Sequence, residues 1–236
     1  MIYRTLITGA SSGIGRDLAM ILAKMGHGLV LVARREVELA SVAEVCQLQG
    51  SPAVATIAGD IRDTDVCIKA VDALQAMERG ELVLVNNAGL AEYGDTSEQE
   101  FKEIEDTVDV NLLAAMRFSK ACLQPMLADG KGTIVNILSI GSRHPFAGAA
   151  AYCASKAGLE MFGKCLAAEY RTKGVRVCSI LPGATDTPLW ESQESHPPLE
   201  MMLPSKAVAE TIKDVIHAPR DRNIDEVVIM PPHGVL

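Results

Sequence analysis

What the chain lacks limits what it can be. Its six cysteines, at positions 46, 67, 122, 153, 165 and 178, form no C-x-x-C pair and no Cys/His spacing that would hold a metal. They read as reduced thiols, and the expected location is cytoplasmic. No Pro/Gly/Ser-rich linker, charge block, low-complexity stretch or internal repeat divides the sequence, so one domain over residues 1–236 is expected. Basic residues are in deficit: 22 Lys and Arg against 30 Asp and Glu give a formal net charge of −8. That balance argues against nucleic acid, which needs a basic footprint, but not against small anions held by local fields. No apolar run approaches the ~20 residues of a membrane span. The chain enters a strand and a glycine turn at once, without the pattern of a signal peptide.

What is present is an alternation. Tyr3 to Thr8 reads as a strand, after which Ile14, Leu18, Ile21, Leu22 and Met25 recur at helical spacing as far as Gly26. Gly28 to Ala33 is apolar enough for a strand buried on both faces. The succession continues with helix 36–49, strand 52–57, helix 64–78 capped by Asp63, strand 82–85 and helix 98–127 broken near Asp106. Strand 133–138, helix 152–173, strand 175–181, an irregular loop 184–204, helix 205–217 and strand 226–230 complete it. Such alternation implies an α/β fold: a doubly wound, Rossmann-like parallel sheet of about seven strands with helices on both faces. Ligands in these sheets bind beyond the carboxyl ends of the strands. Gly9, Arg34, Asp60, Asn87, Ser139 and Gly183 all follow predicted strand ends and would share one rim.

Three local patterns carry chemistry. The first is Thr8-Gly9-Ala10-Ser11-Ser12-Gly13-Ile14-Gly15, a glycine turn between a strand and a helix. Glycines allow close approach to a phosphate, which the helix N-terminus then holds; Ser11 and Ser12 add hydroxyls. The second is Arg34-Arg35 at the end of the second strand, where an acid would bind a ribose 2′-hydroxyl and an arginine suits a 2′-phosphate. No acid occupies positions 33 to 35, and Glu36 falls in the first turn of the next helix. The third is Tyr152-Cys153-Ala154-Ser155-Lys156. On a helix, i and i+4 share a face, so the ammonium lies beside the phenol and favours its ionised form below the usual ~10.

Together these residues resemble the short-chain dehydrogenases/reductases along nearly the whole chain. The matching motifs are Thr8-Gly9-x3-Gly13-x-Gly15, Asn86-Asn87-Ala88-Gly89, Asn111, Ser139, Tyr152-x3-Lys156 and Pro182-Gly183. The resemblance implies that Tyr152 is the general acid of carbonyl reduction and the base of alcohol oxidation. It implies that Lys156 lowers the phenol's pKa and bonds the nicotinamide ribose, that Ser139 bonds the substrate oxygen, and that Asn111 holds a water in a proton relay. It further implies a cofactor cleft formed by Gly9, Ser11, Ser12, Gly13, Ile14, Gly15, Arg34, Asp60, Ile61, Asn87, Pro182, Gly183 and Thr187, with Thr185 near the carboxamide.

The expectation is an NADP(H)-dependent oxidoreductase that moves hydride between the nicotinamide and a ketone or a 3-oxo/3-hydroxy acid. The rival readings are a non-catalytic NADP-binding regulator and a 3-oxoacyl-carrier-protein reductase. The ending Asn223 to Pro231 lacks the glycine-rich close of the latter and resembles that of the 3-hydroxy acid dehydrogenases. Val108 to Met126 is apolar around most of its circumference, and the Tyr152 helix carries Ala154, Ala157, Gly158 and Gly163. Both features point to a homodimer or homotetramer. His144 stands where it would touch substrate or simply join the loop, and Leu189, Trp190, Met201 and Met202 would form a lid or pack their own loop. Cys153 is expected to pack within its helix. His27, His196, His217 and His233 have no evident partners.

Overall fold

Strands that are apolar on both faces need cover on both, and this chain supplies it. The computed structural model describes residues 3–191 and 196–235. Part of the expected substrate loop, residues 192–195, lies outside them. The order is β1 (Tyr3–Thr8), α1 (Gly13–Lys24), β2 (Gly28–Ala33), α2 (Glu36–Leu48), β3 (Val54–Ala58), α3 (Thr64–Ala76) and β4 (Glu81–Asn86). After them come α4 (Phe101–Val108), a π-helical turn (Asp109–Leu113), α5 (Ala114–Ala128), β5 (Gly132–Ile137), α6 (Ala150–Tyr170) and β6 (Val175–Pro182). Two short strands, β7 (Thr185–Asp186) and β8 (Leu203–Pro204), precede α7 (Ser205–Ile216) and β9 (Glu226–Ile229).

The main sheet has seven strands in the order β3-β2-β1-β4-β5-β6-β9, all parallel. Its order reverses between β1 and β4, which makes the switch point where a crevice opens at the carboxyl ends. Side chains alternate across the sheet. Ile7 joins Leu22 of α1, Leu39 of α2 and Ile212 of α7 in one core, while Leu6 joins Val66 of α3, Phe118 of α5 and Leu166 of α6 in the other. A fully buried Leu or Phe contributes about 1.5–3 kcal/mol, and both layers are built of such residues.

Several element bounds differ from expectation for local reasons. The helix expected from 98 starts at Phe101, because Glu100 and Glu103 form a reciprocal capping box and residues 95–99 turn around Asp95. Its irregularity falls at Asp109–Leu113 and not at Asp106. Asp63 caps α3 as expected, accepting from the Asp65 amide at 2.8 Å. Near the two ends of the loop 184–204, β7 and β8 pair as a small parallel ladder, which its composition did not suggest. In α6, Gly158 lies against Leu112 and Gly163 against Asn136 and Ser179. Both small residues therefore serve packing within the chain.

Candidate active site

The turns after β1 and β4 are laced together across the switch point. The Asn87 amide donates to the carbonyls of Thr8 (2.9 Å) and Gly9 (3.1 Å), and the Thr8 hydroxyl accepts from the amides of Asn87 (3.0 Å) and Ala88 (3.1 Å). Gly9 has φ +67°, and a Cβ there would lie 2.8 Å from the Ala88 Cα. Its glycine is required by both the conformation and the approach of β4's turn. Gly15 is required for a different reason: a Cβ would collide with the Gly9 carbonyl and the Asn87 amide. It packs α1 onto the turn and does not reach the crevice.

Beyond the strand ends lies a cavity of about 1000 Å³. Gly9, Ser11, Ser12, Gly13, Ile14, Arg34, Asp60, Ile61 and Asn87 line one part, and Ser139, Tyr152, Lys156, Pro182, Gly183, Thr185 and Thr187 line the rest. Of the expected site residues, only Gly15 and Asn111 stand outside its wall. Ser12 makes no side-chain cap on α1, so the turn of the helix that faces the crevice is not closed by its own N-cap. Arg35 donates to the Ser11 hydroxyl at 3.1 Å, which directs it to the glycine turn beside Arg34. Asp60 is engaged by Arg62, which the sequence reading passed over: Nε lies 3.0 Å and Nη2 2.6 Å from the carboxylate, and the Asp60 carboxyl is held below its usual range by those bonds. Arg62 also pairs with Asp106.

Tyr152 and Lys156 project from α6 on one face, the Lys156 ammonium 5.8 Å from the phenol ring centroid. That ammonium donates to the Ile137 carbonyl at the end of β5, 2.9 Å away. The Ser139 hydroxyl accepts from the Gly141 amide at 3.0 Å and lies near enough to the phenol to affect its acidity. Burial governs the acidity of both groups. It pushes the Lys156 ammonium down to about 8. It also raises the Tyr152 phenol above its ordinary value, an effect that Ser139 opposes. Burial thus sets the direction for the phenol, opposite to the fall expected beside an ammonium. At neutral pH the phenol therefore carries its proton.

The Asn111 side chain is engaged by the chain itself. Seated in the π-helical turn, its side-chain amide donates to the Leu90 carbonyl (2.8 Å) and the Ser155 hydroxyl (3.0 Å), and its oxygen accepts from the Leu90 amide (2.8 Å). The Ser155 hydroxyl then donates to the Tyr152 carbonyl at 2.7 Å. With the side chain committed to these partners, Asn111 ties the loop after β4 to the first turn of α6. Its oxygen and the Lys156 ammonium both lie against Gly89, where a Cβ would be 3.4 Å from Asn111 Oδ1 and 3.5 Å from Lys156 Nζ.

The loops complete the wall. Leu189 and Trp190 line the cavity, whereas Met202 is buried and neither it nor Met201 reaches the wall. His144 is outside it, edge-on to Phe146 with ring centroids 5.3 Å apart. Cys153 is half-buried and packs on the cluster of Ala91, Ala149 and Tyr152. Tyr93 and Phe146, unremarked in the sequence, stand in the wall; an aromatic on a loop leaving a strand's carboxyl end was the available signal. His196 lines the same cavity.

A switch-point crevice with an anion-binding turn at one end and a buried phenol, hydroxyl and ammonium at the other defines a dinucleotide-dependent oxidoreductase of the doubly wound class. A family model described as short chain dehydrogenase matches residues 4–198. The chain is 33% identical over 226 residues to an uncharacterized oxidoreductase of Staphylococcus saprophyticus subsp. saprophyticus, covering 96% of each. It is 32% identical over 229 residues to the ketoacyl reductase HetN of a Nostoc species, covering 96% of this chain and 78% of that one. An alcohol dehydrogenase from the archaeon Thermococcus sibiricus, solved in complex with 5-hydroxy-NADP, superposes with a TM-score of 0.87 at 27% identity, over 97% of this chain and 96% of that one. The chain belongs to the short-chain dehydrogenase family, and so to the oxidoreductases acting on CH–OH groups. Among the described residues no helix is long and apolar enough to cross a membrane.

Proposed function

We propose that residues 1–236 act as one catalytic domain, an NADP-dependent carbonyl reductase and alcohol dehydrogenase. The observation that carries this reading is the placement of Ser139, Tyr152 and Lys156 in one cavity with the glycine turn of α1. The residues present fit a dinucleotide. Gly9 and Gly13 leave the backbone of the turn open, and Arg34 with the Arg35–Ser11 pair offers cations where a 2′-phosphate would lie. When bound, the nicotinamide supplies or accepts the hydride.

The chain's own residues handle the oxygen and the proton. The Ser139 and Tyr152 hydroxyls hold a carbonyl oxygen between them and stabilise the negative charge that develops on it. Tyr152, protonated at neutral pH, gives its proton to that oxygen. The Lys156 ammonium, fixed by Ile137, stabilises the phenolate left behind and is the neighbouring group able to return a proton to it. The buried wall excludes water from these steps. Alcohol oxidation runs the same contacts in reverse.

The resemblance to a ketoacyl reductase and the NADP derivative in the alcohol dehydrogenase complex support this reading. Following NADPH absorbance against ketones, 3-oxo esters, 3-hydroxy acids and quinones tests it. Turnover of a carbonyl substrate is the expected result. Tight NADPH binding with no turnover of any member would favour the non-catalytic binder.

A further inference from the structure

The wall around Tyr152 bears on what the cavity accepts. Charge in the cavity is segregated. Arg34, Arg35, Asp60 and Arg62 follow β2 and β3, and Asp106 belongs to α4, all at the end away from the phenol. Around the phenol the wall is Ala91, Tyr93, Phe146, Leu189 and Trp190. Tyr93 stands edge-on to Tyr152 and to Trp190, with ring centroids 6.0 and 6.1 Å apart. The Trp190 indole nitrogen donates to the Thr185 carbonyl at 2.9 Å, so the indole presents carbon to the cavity.

The ionised side chains at this end are of the wrong sign for an anion. Glu92 and Glu191 line the cavity beside Tyr93 and Trp190, and the one cation at this end among the described residues, Lys156, is bonded to Ile137 and serves the phenol. His196 spends Nδ1 on the Pro197 carbonyl, 2.8 Å away. Residues 192–195 read Ser-Gln-Glu-Ser and bring no cation wherever they lie. A carboxylate or sulfonate taken into this wall would lose its water, gain no cationic partner among the described residues and face like charge. A flat uncharged ring would gain apolar burial and edge contacts with three aromatic side chains.

We propose, on the reductase reading above, that the site takes an uncharged aryl or alicyclic ketone, or its secondary alcohol, and discriminates against substrates with an anionic group near the reacting carbon. This replaces the 3-hydroxy acid suggested by the C-terminal segment, whose carboxylate finds no partner around the phenol among the described residues.

Methyl 4-acetylbenzoate and 4-acetylbenzoate test it, because the same aryl ketone is presented without and with a charge. Trp190 is the sole tryptophan, so its fluorescence reports occupation of this wall independently of turnover. Titrations with and without NADP⁺ should show the ester binding at least about tenfold more tightly, a factor large against measurement error. NADPH consumption should show the same ratio in kcat/KM. Equal or tighter binding of the acid, or no binding of the ester, overturns the inference. Ester preference in binding with neither compound reduced would uphold the inference and sink the reductase reading. Reduction of both with the acid preferred would do the opposite. Glu92→Lys and, separately, Glu191→Lys place a cation at this end. At least one should move the preference about tenfold toward the acid, and a ratio unmoved in both overturns the assignment of charge selectivity to this wall.

Discussion

The Lys156 ammonium donates to the Ile137 carbonyl oxygen at 2.9 Å, two residues before Ser139. The cation that serves the phenol is therefore fixed to the strand that positions the second hydroxyl, and α6 cannot shift without moving both. Because burial brings Lys156 down to about 8, its charge is present at neutral pH and lost in the mildly alkaline range. Ketone reduction needs Tyr152 protonated and Lys156 charged. Its kcat/KM should be flat through neutrality and fall above about pH 8, as Lys156 loses its charge while the phenol, raised by burial, keeps its proton. A pH–rate profile checks this, and a level profile to pH ~10, the ordinary range of tyrosine, would mean that the ammonium charge is not needed.

Tyr152→Phe keeps the ring and its contacts with Tyr93 while removing the proton donor. NADPH affinity should be retained, and turnover should fall by at least ~10²-fold, the lower range for general acid–base catalysis. Single-turnover kinetics with a binding titration separate the two effects. Near-normal turnover would remove the phenol from the mechanism.

Arg34→Asp addresses cofactor choice. A hydrogen bond to a charged group contributes ~1.5–3 kcal/mol, or roughly one to two decades of affinity. The parent should bind NADPH at least about tenfold more tightly than NADH, and the variant should reverse the order. Arg35 stays on Ser11 as a second cation, so Arg35→Ala should weaken NADPH binding further. Fluorescence titration of both cofactors decides it; unchanged NADPH affinity in Arg34→Asp would show that the phosphate is read elsewhere.

The opposite rim carries a hydrogen-bonded histidine pair. His27 Nε2 lies 3.0 Å from His217 Nε2, and its Nδ1 lies 2.8 Å from the Thr5 hydroxyl. His217 Nδ1 is 2.8 Å from the Lys213 carbonyl, which only an N–H can satisfy. That fixes the direction of the chain: His217 accepts from His27, and His27 accepts from Thr5. A proton on His27 would end its acceptance from Thr5 and bury a charge, and burial, reinforced by His217, holds its pKa down to about 3. An unfolded histidine takes up its proton near ~6.5, so the unfolded chain binds the extra proton between the two values. Stability is then complete above the unfolded value and is lost as pH falls toward the folded one. Going from pH 6.5 to 5 should cost about 2 kcal/mol at ~1.4 kcal/mol per unit. Urea unfolding at neutral and acid pH measures the loss, and His27→Gln should flatten it. An equal acid sensitivity in that variant would place the titration elsewhere.

We propose that the outer face of α6 meets a second copy of the chain. Ala154, Ala157, Met161, Cys165 and Ala168 form an exposed apolar stripe at helical spacing, Met161 being 59% exposed. Light scattering should give a dimer or tetramer at micromolar concentration, and Met161→Glu should weaken it. A monomeric parent would refute the proposal.

Patterns that repeat over a few residues were legible. The i,i+4 relation of Tyr152 and Lys156 and the strand–turn–helix around Gly9 each lie within one local element. So do the strand ends that placed Arg34, Asp60 and Ser139 on one rim. What escaped depends on partners distant in sequence. The Gly94 amide donates to the Gly148 carbonyl at 2.9 Å, drawing the loop after β4 against the loop before α6. That pairing brings Tyr93 and Phe146 to the phenol, and nothing near either residue announces it. The π-helical turn at Asn111 has no composition of its own, so its amide's commitment to Leu90 and Ser155 could not be foreseen. The acidity of Tyr152 and Lys156 turned on burial, which spacing alone does not measure. The histidines at 27 and 217 found each other only through the sheet that carries α7 over β1.

The parallel sheet puts this histidine pair at the amino ends of its strands and the reacting groups at the carboxyl ends. The two sets share no hydrogen-bond partner among the described residues. Changes at separated sites without common partners add. Acid tolerance and substrate choice can therefore be altered independently in one chain: a substitution at His27 should leave the selectivity set by Phe146 and Trp190 untouched, and reshaping that wall should leave the acid limit where His27 puts it.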